Sequence, residues 1–94
     1  MSTQYITPGS AAASGDEFTL DAGASQAFWC QPALGANESV DLFIKNSTNN
    51  AYTRVGTICS SGEQAGVVTA QGSTSSTFQA RKSATDGNKG IYFD

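Results

Sequence analysis

"ESVDLFIKNSTNNAYTRVGTIC", residues 38–59, decides the fold. Its first arm alternates strictly: Val40, Leu42 and Ile44 fall on one side, and Ser39, Asp41, Phe43 and Lys45 on the other. A side-chain period of two marks a half-buried strand. "NSTNN", residues 46–50, follows; its side chains bond their own backbone and tolerate left-handed conformations, as a tight loop requires. The return arm, "AYTRVGTIC", is less regular, because Val55 and Ile58 cannot share a face of an unbroken strand. Gly56 lies between them and invites a β-bulge, which is expected to turn both inward. The stretch is therefore a β-hairpin, and it raises a question. Phe43 stands on the face that carries Ser39, Asp41 and Lys45.

The same pattern extends in both directions. Upstream, "EFTL" sets Phe18 and Leu20 against Glu17 and Thr19, "DAGAS" is a turn around Gly23, and "QAFWCQ" sets Phe28 and Cys30 against Ala27 and Trp29. Pro32 and Gly35 in "PALGANE" break the ladder. Downstream, "AGVVTA" is a short strand with Val67 expected inward. "STFQARK" directs Phe78 and Ala80 inward, and "IYFD" directs Ile91 and Phe93 inward with Tyr92 outward. The result is about seven short strands with turn signals every ~8–12 residues, the signature of a small antiparallel β-sandwich or barrel. No segment holds a helical period, and no repeat of solenoid or propeller type occurs. The fold expected is all-β: a small antiparallel β-sandwich, jelly-roll or immunoglobulin-like.

Residues 1–15 are expected to form a flexible N-terminal arm, and residues 16–94 the β-sandwich domain. Pro8 bars "YITP" from a central strand, and "GSAAASG" has the composition of a linker. Deleting residues 2–14 should then leave the sandwich folded.

Composition bounds the function. The chain has 94 residues, 38% hydrophobic and 14% charged, with a net charge of −3. That is apolar enough for one modest core but light in charge. There are five basic residues and only Arg81 and Lys82 are adjacent, so there is no basic stripe for nucleic acid. No apolar run approaches the ~18 residues of a membrane span, and no secretory leader is visible. The two acceptor-like triplets Asn37-Glu38-Ser39 and Asn46-Ser47-Thr48 are chance matches in a chain this rich in Ser and Thr.

Chemical equipment is sparse. Without histidine there is no imidazole base and no Ser–His or Cys–His dyad. No serine stands in a G-x-S-x-G elbow, and the ten glycines do not form a phosphate-cradling loop ahead of a helix. Asp16 and Glu17 are neighbours on a strand and face opposite sides. Cys30 and Cys59 are too few for a zinc site and are expected as buried, unpaired thiols. The reading is a protein without catalytic, cofactor or metal sites. What is left is surface: Trp29, Phe43 and Tyr92 on outward faces, and Gln4, Tyr5 and Ile6 on the arm, form the candidate protein interface.

Three stretches also carry a resemblance. "FTLDAGASQAFWCQPALGANESVDLFIKNSTNNAYTRVGTI", "GVVTAQGSTSSTFQARKS" and the closing "GIYFD" resemble small β-sandwich proteins of tailed bacteriophages. The likeness lies in the order and character of the strands. An "S-V-x-L-x-I-K" strand leads to a polar hairpin, a threonine-rich strand and a late "T-F-x-A-R-K" strand. It covers residues 16–94 and is nearest to capsid decoration, or cement, proteins. The resemblance implies a structural virion protein on the outside of an assembled head, made in the host cytoplasm, stabilising contacts between major-capsid subunits. It also implies a homo-oligomer, often a trimer, and contacts made through a terminal arm. The competing reading is a carbohydrate-binding or receptor-binding β-sandwich module of a phage fibre or tail.

Overall fold

The computed structural model describes residues 3–70, 72 and 74–94. Nine strands follow in chain order: β1 (Thr3–Gly9), β2 (Ala13–Ser14), β3 (Phe18–Leu20), β4 (Ser25–Gln31), β5 (Val40–Lys45), β6 (Tyr52–Cys59), β7 (Ala65–Thr69), β8 (Ser76–Lys82) and β9 (Lys89–Phe93). They form two antiparallel sheets. The first has the order β1-β9-β4-β7; the second has β2-β8-β5-β6, with β3 also on β8. Ala13 lies opposite Lys82 and Phe18 opposite Phe78, so β2 and β3 run along the same side of β8 as one interrupted strand.

The sheets face each other across an aromatic core. Phe18 of the second sheet meets Phe28 and Phe93 of the first, both at centroid distances of 5.5 Å. Val40, Cys30, Cys59, Ala80 and Ile91 are fully buried around them. Most expected inward residues are in place: Phe28, Leu20, Val40, Phe78 and Ile91 are buried, and Phe18, Leu42, Ile44 and Phe93 pack against that cluster.

The N-terminal segment corrects one expectation. Residues 3–9 are a strand of the first sheet, antiparallel to β9, with Thr3 opposite Phe93 and Ile6 opposite Ile91. A register shift between Gln4 and Ile6 makes Tyr5 the extra residue of a bulge. Tyr5 and Ile6 therefore both turn inward, although they are adjacent. Ile6 is buried, and the Tyr5 ring packs on Phe18, Phe28 and Phe93. Its hydroxyl donates to the Asp16 carbonyl and accepts the Ala80 N–H at 3.1 Å. Gly15 makes room for the ring, since a Cβ there would lie 2.1 Å from Tyr5 Cζ. Tyr5 and Ile6 are core residues, and residues 3–9 are part of the sandwich. Pro8 is accommodated because β1 is an edge strand.

Two valines also depart from the sequence reading. The return arm of the hairpin is bulged twice: Val55 and Ile58 are the extra residues opposite β5. Ile58 packs toward the core, whereas Val55 is 52% exposed. In β7 the phase is opposite to that expected. Val68 is buried and Val67 is 66% exposed, because Gly66 and Val68 take the inward positions. Gly66 is required there: a Cβ would come 2.2 Å from the Ile58 carbonyl oxygen of β6, which lies under it.

One end of the sandwich is sealed by charge. Lys89 forms a 2.5 Å ion pair with Glu38, and both are buried. Glu38 also accepts the N–H groups of Gly35 (2.7 Å) and Asp86 (2.6 Å), tying the loops after β4 and β8 together. Hydrogen bonds from Lys89, Asp86 and Gly35 hold its carboxyl down at about 2. Lys82, only 2% exposed, donates to the Gly9 and Ala11 carbonyls at 2.9 Å each. Among the described residues, no buried side-chain polar atom lacks a partner.

Candidate functional site

Register brings three of the sequence-nominated residues into one row. Gln4 pairs with Tyr92, Tyr92 with Trp29, and Trp29 with Ala65, across all four strands of the first sheet. Paired residues of antiparallel strands project to the same side, here the outer one, since Phe28, Cys30 and Ile91 face the core. Trp29 is 37% exposed. Tyr92 is half-buried because it lies over a glycine: a Cβ at Gly90 would come 3.1 Å from the Tyr92 hydroxyl and 2.9 Å from Pro8 Cγ. Ala27 and Val67, opposite each other, extend the apolar surface toward the β7 edge.

Charge distinguishes the two sheets. The strands β1, β4, β7 and β9 contain one charged residue, Lys89, and it points inward to Glu38. The outward face of the first sheet therefore carries no charged strand residue. The second sheet is different, with Asp41, Lys45, Arg54 and Arg81 at outward positions. There Arg54 pairs with Asp41 at 3.5 Å, and Lys45 pairs with Glu17 at 3.2 Å. Tyr52 donates to Glu17 as well.

Phe43 belongs to this second face and is not bare. The Arg81 guanidinium lies 4.1 Å above its ring centre and 5.3 Å from that of Tyr52. A cation over a ring face is attracted by the ring quadrupole. Arg81 is in turn steered by Gln79 Oε1, which accepts from its Nε at 2.9 Å. An aromatic among polar residues is thus accommodated by a neighbouring strand, which the hairpin sequence alone does not contain. Phe43 and Trp29 lie on opposite outer faces, so the nominated residues do not form one surface.

The other features offer less for binding. Cys30 and Cys59 are free and buried. Burial raises both thiols, Cys59 to about 11, so neither is a ready nucleophile. Among the described residues, no three potential ligands cluster to hold a metal. A surface cleft of about 440 Å³ between the β5–β6 and β7–β8 loops is lined by Ile44, Lys45, Ser47, Asn50 and the stretch 74–77. Apart from Ile44 and Lys45 its lining is hydroxyl and amide, without an aromatic ring. Among the described residues, no helix is long and apolar enough to cross a membrane.

The outer face of the first sheet is thus the candidate site. Sequence phase found Trp29 and Tyr92, but register was needed to make them neighbours. Val67 was missed because Val67 and Val68 are adjacent and equally apolar; Gly66 of β7, seated on Ile58, fixes which one faces in. No protein-family model matches the chain, and no curated protein matches it in sequence.

Proposed function

We propose that this chain is a structural virion protein that binds the outside of an assembled phage head and stabilises contacts between major-capsid subunits. The outer face of the first sheet is the binding surface. The observation that carries this reading is the uncharged outward face of β1, β9, β4 and β7, centred on Trp29. Depletion of charge with aromatic enrichment is the compositional mark of an interface centre. The resemblance of residues 16–94 to capsid decoration proteins supplies the partner class, the major capsid protein. It also points to a homo-oligomeric form.

The subtype proposed for the sandwich is the jelly roll. Its support is the strand order. With β2 and β3 counted as one strand, consecutive strands alternate between sheets, except at the β5–β6 hairpin. Two interlocked Greek keys, an architecture used by capsid and lectin domains, would give such an alternation, and this supports the reading.

Co-sedimentation with undecorated heads tests the function. The parent should travel with heads, Trp29→Ser should bind markedly less while melting like the parent, and Phe43→Ser should bind normally. Unimpaired binding by Trp29→Ser would sink the proposed surface. A second reading rests on one observation: Trp29 and Tyr92 are side by side, with the amides of Gln4 and Gln31 at flanking positions. Such a platform suits a sugar ring, as in a fibre or tail module. Glycan-array binding abolished by Trp29→Ser, without head binding, would favour it.

A further inference from the structure

The two sheets have four lateral edges, and three are guarded. β1 carries Pro8 and two register shifts. β6 carries Arg54 and two bulges. The remaining edge of the second sheet is interrupted between β2 and β3. Proline, charge, bulges and short strands are the devices by which exposed edges avoid pairing with other chains. β7, with the sequence Ala-Gly-Val-Val-Thr, has none of them. Its register with β4 is unbroken from Ala65 to Thr69, and among the described residues it pairs with no other strand.

The hydrogen-bond phase shows which backbone groups are left over. Cys30 N–H donates to the Gln64 carbonyl, and Ala70 N–H to the Ala24 carbonyl. Bonding alternates along an antiparallel ladder. Gly66 and Val68 therefore bond to β4, and the N–H and C=O groups of Ala65, Val67 and Thr69 point to the open side. All three residues are exposed. Ile58 of β6 sits under Gly66, on the inward side of β7.

We propose that β7 pairs antiparallel with β7 of a second copy, about a two-fold axis at Val67. The occupant follows from self-complementarity. An axis at Val67 sets Val67 against Val67 of the other copy and Ala65 against Thr69, so every free donor meets a free acceptor, giving about six backbone hydrogen bonds. No charge meets a like charge, although each chain carries a net −3. The first sheets then join into one sheet of double width. Their uncharged outer faces become continuous, with the two Val67 side chains at the seam and a Trp29 on either side. This gives a two-fold pair in place of the trimers that the resemblance implies. It is independent of whether the face meets a capsid or a sugar.

Sedimentation equilibrium tests the pairing. The parent should approach twice the 9.7 kDa chain mass with increasing concentration. Val67→Pro removes an N–H that β4 does not use, so it should give a folded monomer that melts like the parent in dilute, unpaired solution. Hydrogen exchange on the unmodified protein gives a second reading that needs no variant. The amides of Ala65, Val67 and Thr69 should exchange at least ~10-fold more slowly in concentrated than in dilute solution. A parent that stays at 9.7 kDa throughout, or whose edge amides exchange equally fast at both concentrations, overturns the proposal. So does a folded Val67→Pro that dimerises like the parent. Head or glycan binding by a protein proved monomeric would leave the binding face standing and remove only the pairing.

Discussion

Deleting residues 2–14 should unfold this protein, and Tyr5 is the main reason. A domain of 94 residues is stable by about 5–14 kcal/mol. Truncating a buried aromatic to alanine costs about 3–5 kcal/mol. The Tyr5 ring is partly exposed but contacts three other aromatic rings, so the lower half of that range applies, about 3–4 kcal/mol. Removing only its hydroxyl leaves the Ala80 N–H without an acceptor, which costs about 1–2 kcal/mol. Ile6, also buried, adds about 2–5 kcal/mol to the deletion. The two side chains together account for most of the domain's stability before any β1 hydrogen bond is counted. Urea titrations followed by circular dichroism should give midpoints in the order parent, Tyr5→Phe, Tyr5→Ala. The deletion should show no cooperative transition. A coupled test uses Gly15: Gly15→Ala should destabilise the parent by displacing the ring, yet add little to Tyr5→Ala. A deletion variant that unfolds with the parent's midpoint and slope would refute the reasoning and return residues 3–9 to the status of a free arm.

Three further outcomes are expected. The Glu38 carboxyl is depressed to about 2 in the folded state, so its contribution is complete above its ordinary value of 4.5 and is lost as pH falls through about 2. Glu38→Gln should remove part of the acid slope in urea midpoints across that window; an unchanged slope would mean the buried pair does not govern it. Cys30 and Cys59 should react with a thiol reagent only as fast as the protein opens, given their burial and raised thiols; labelling that outpaces unfolding would show an accessible thiolate. Phe43→Ser and Arg81→Ala should each cost about 0.5–1 kcal/mol, with the double variant costing less than their sum; strict additivity would show that the guanidinium gains nothing from the ring.

The elements that alternate cleanly were readable from sequence. Phe28 and Cys30, Val40 and Leu42, and Phe78 and Ala80 follow a period of two, and each pair points where that period places it. The failures share one cause, which is adjacency. Tyr5 beside Ile6, Val67 beside Val68, and the irregular spacing of Val55 and Ile58 break the period, and only the partner strand determines which residue faces in. Lys82 was legible in principle. It follows Phe78 and Ala80 on the inward phase, but a lysine at that phase is ordinarily dismissed, and the carbonyls of Gly9 and Ala11 that solvate it are remote in sequence. Leu34 was hidden inside a turn yet is buried, held by backbone bonds with Gly62 and Glu63. The candidate face was half legible: alternation put Trp29 and Tyr92 outside, whereas the absence of charge around them emerges only when β1, β9, β4 and β7 are placed side by side.

The pairing of Thr3 with Phe93 has a practical corollary. Residues opposite each other in an antiparallel ladder have Cα atoms only about 5 Å apart, so β1 starts and β9 finishes at one point of the domain. Anything fused to either end emerges beside the Gln4–Tyr92–Trp29 row, where a bulky tag would shield the uncharged face. A linker of a few residues would close the ring, and new ends could open in the exposed loop at residues 46–50. Such a permuted chain keeps every strand pairing while moving its attachment points away from that row, which makes it the better scaffold for display.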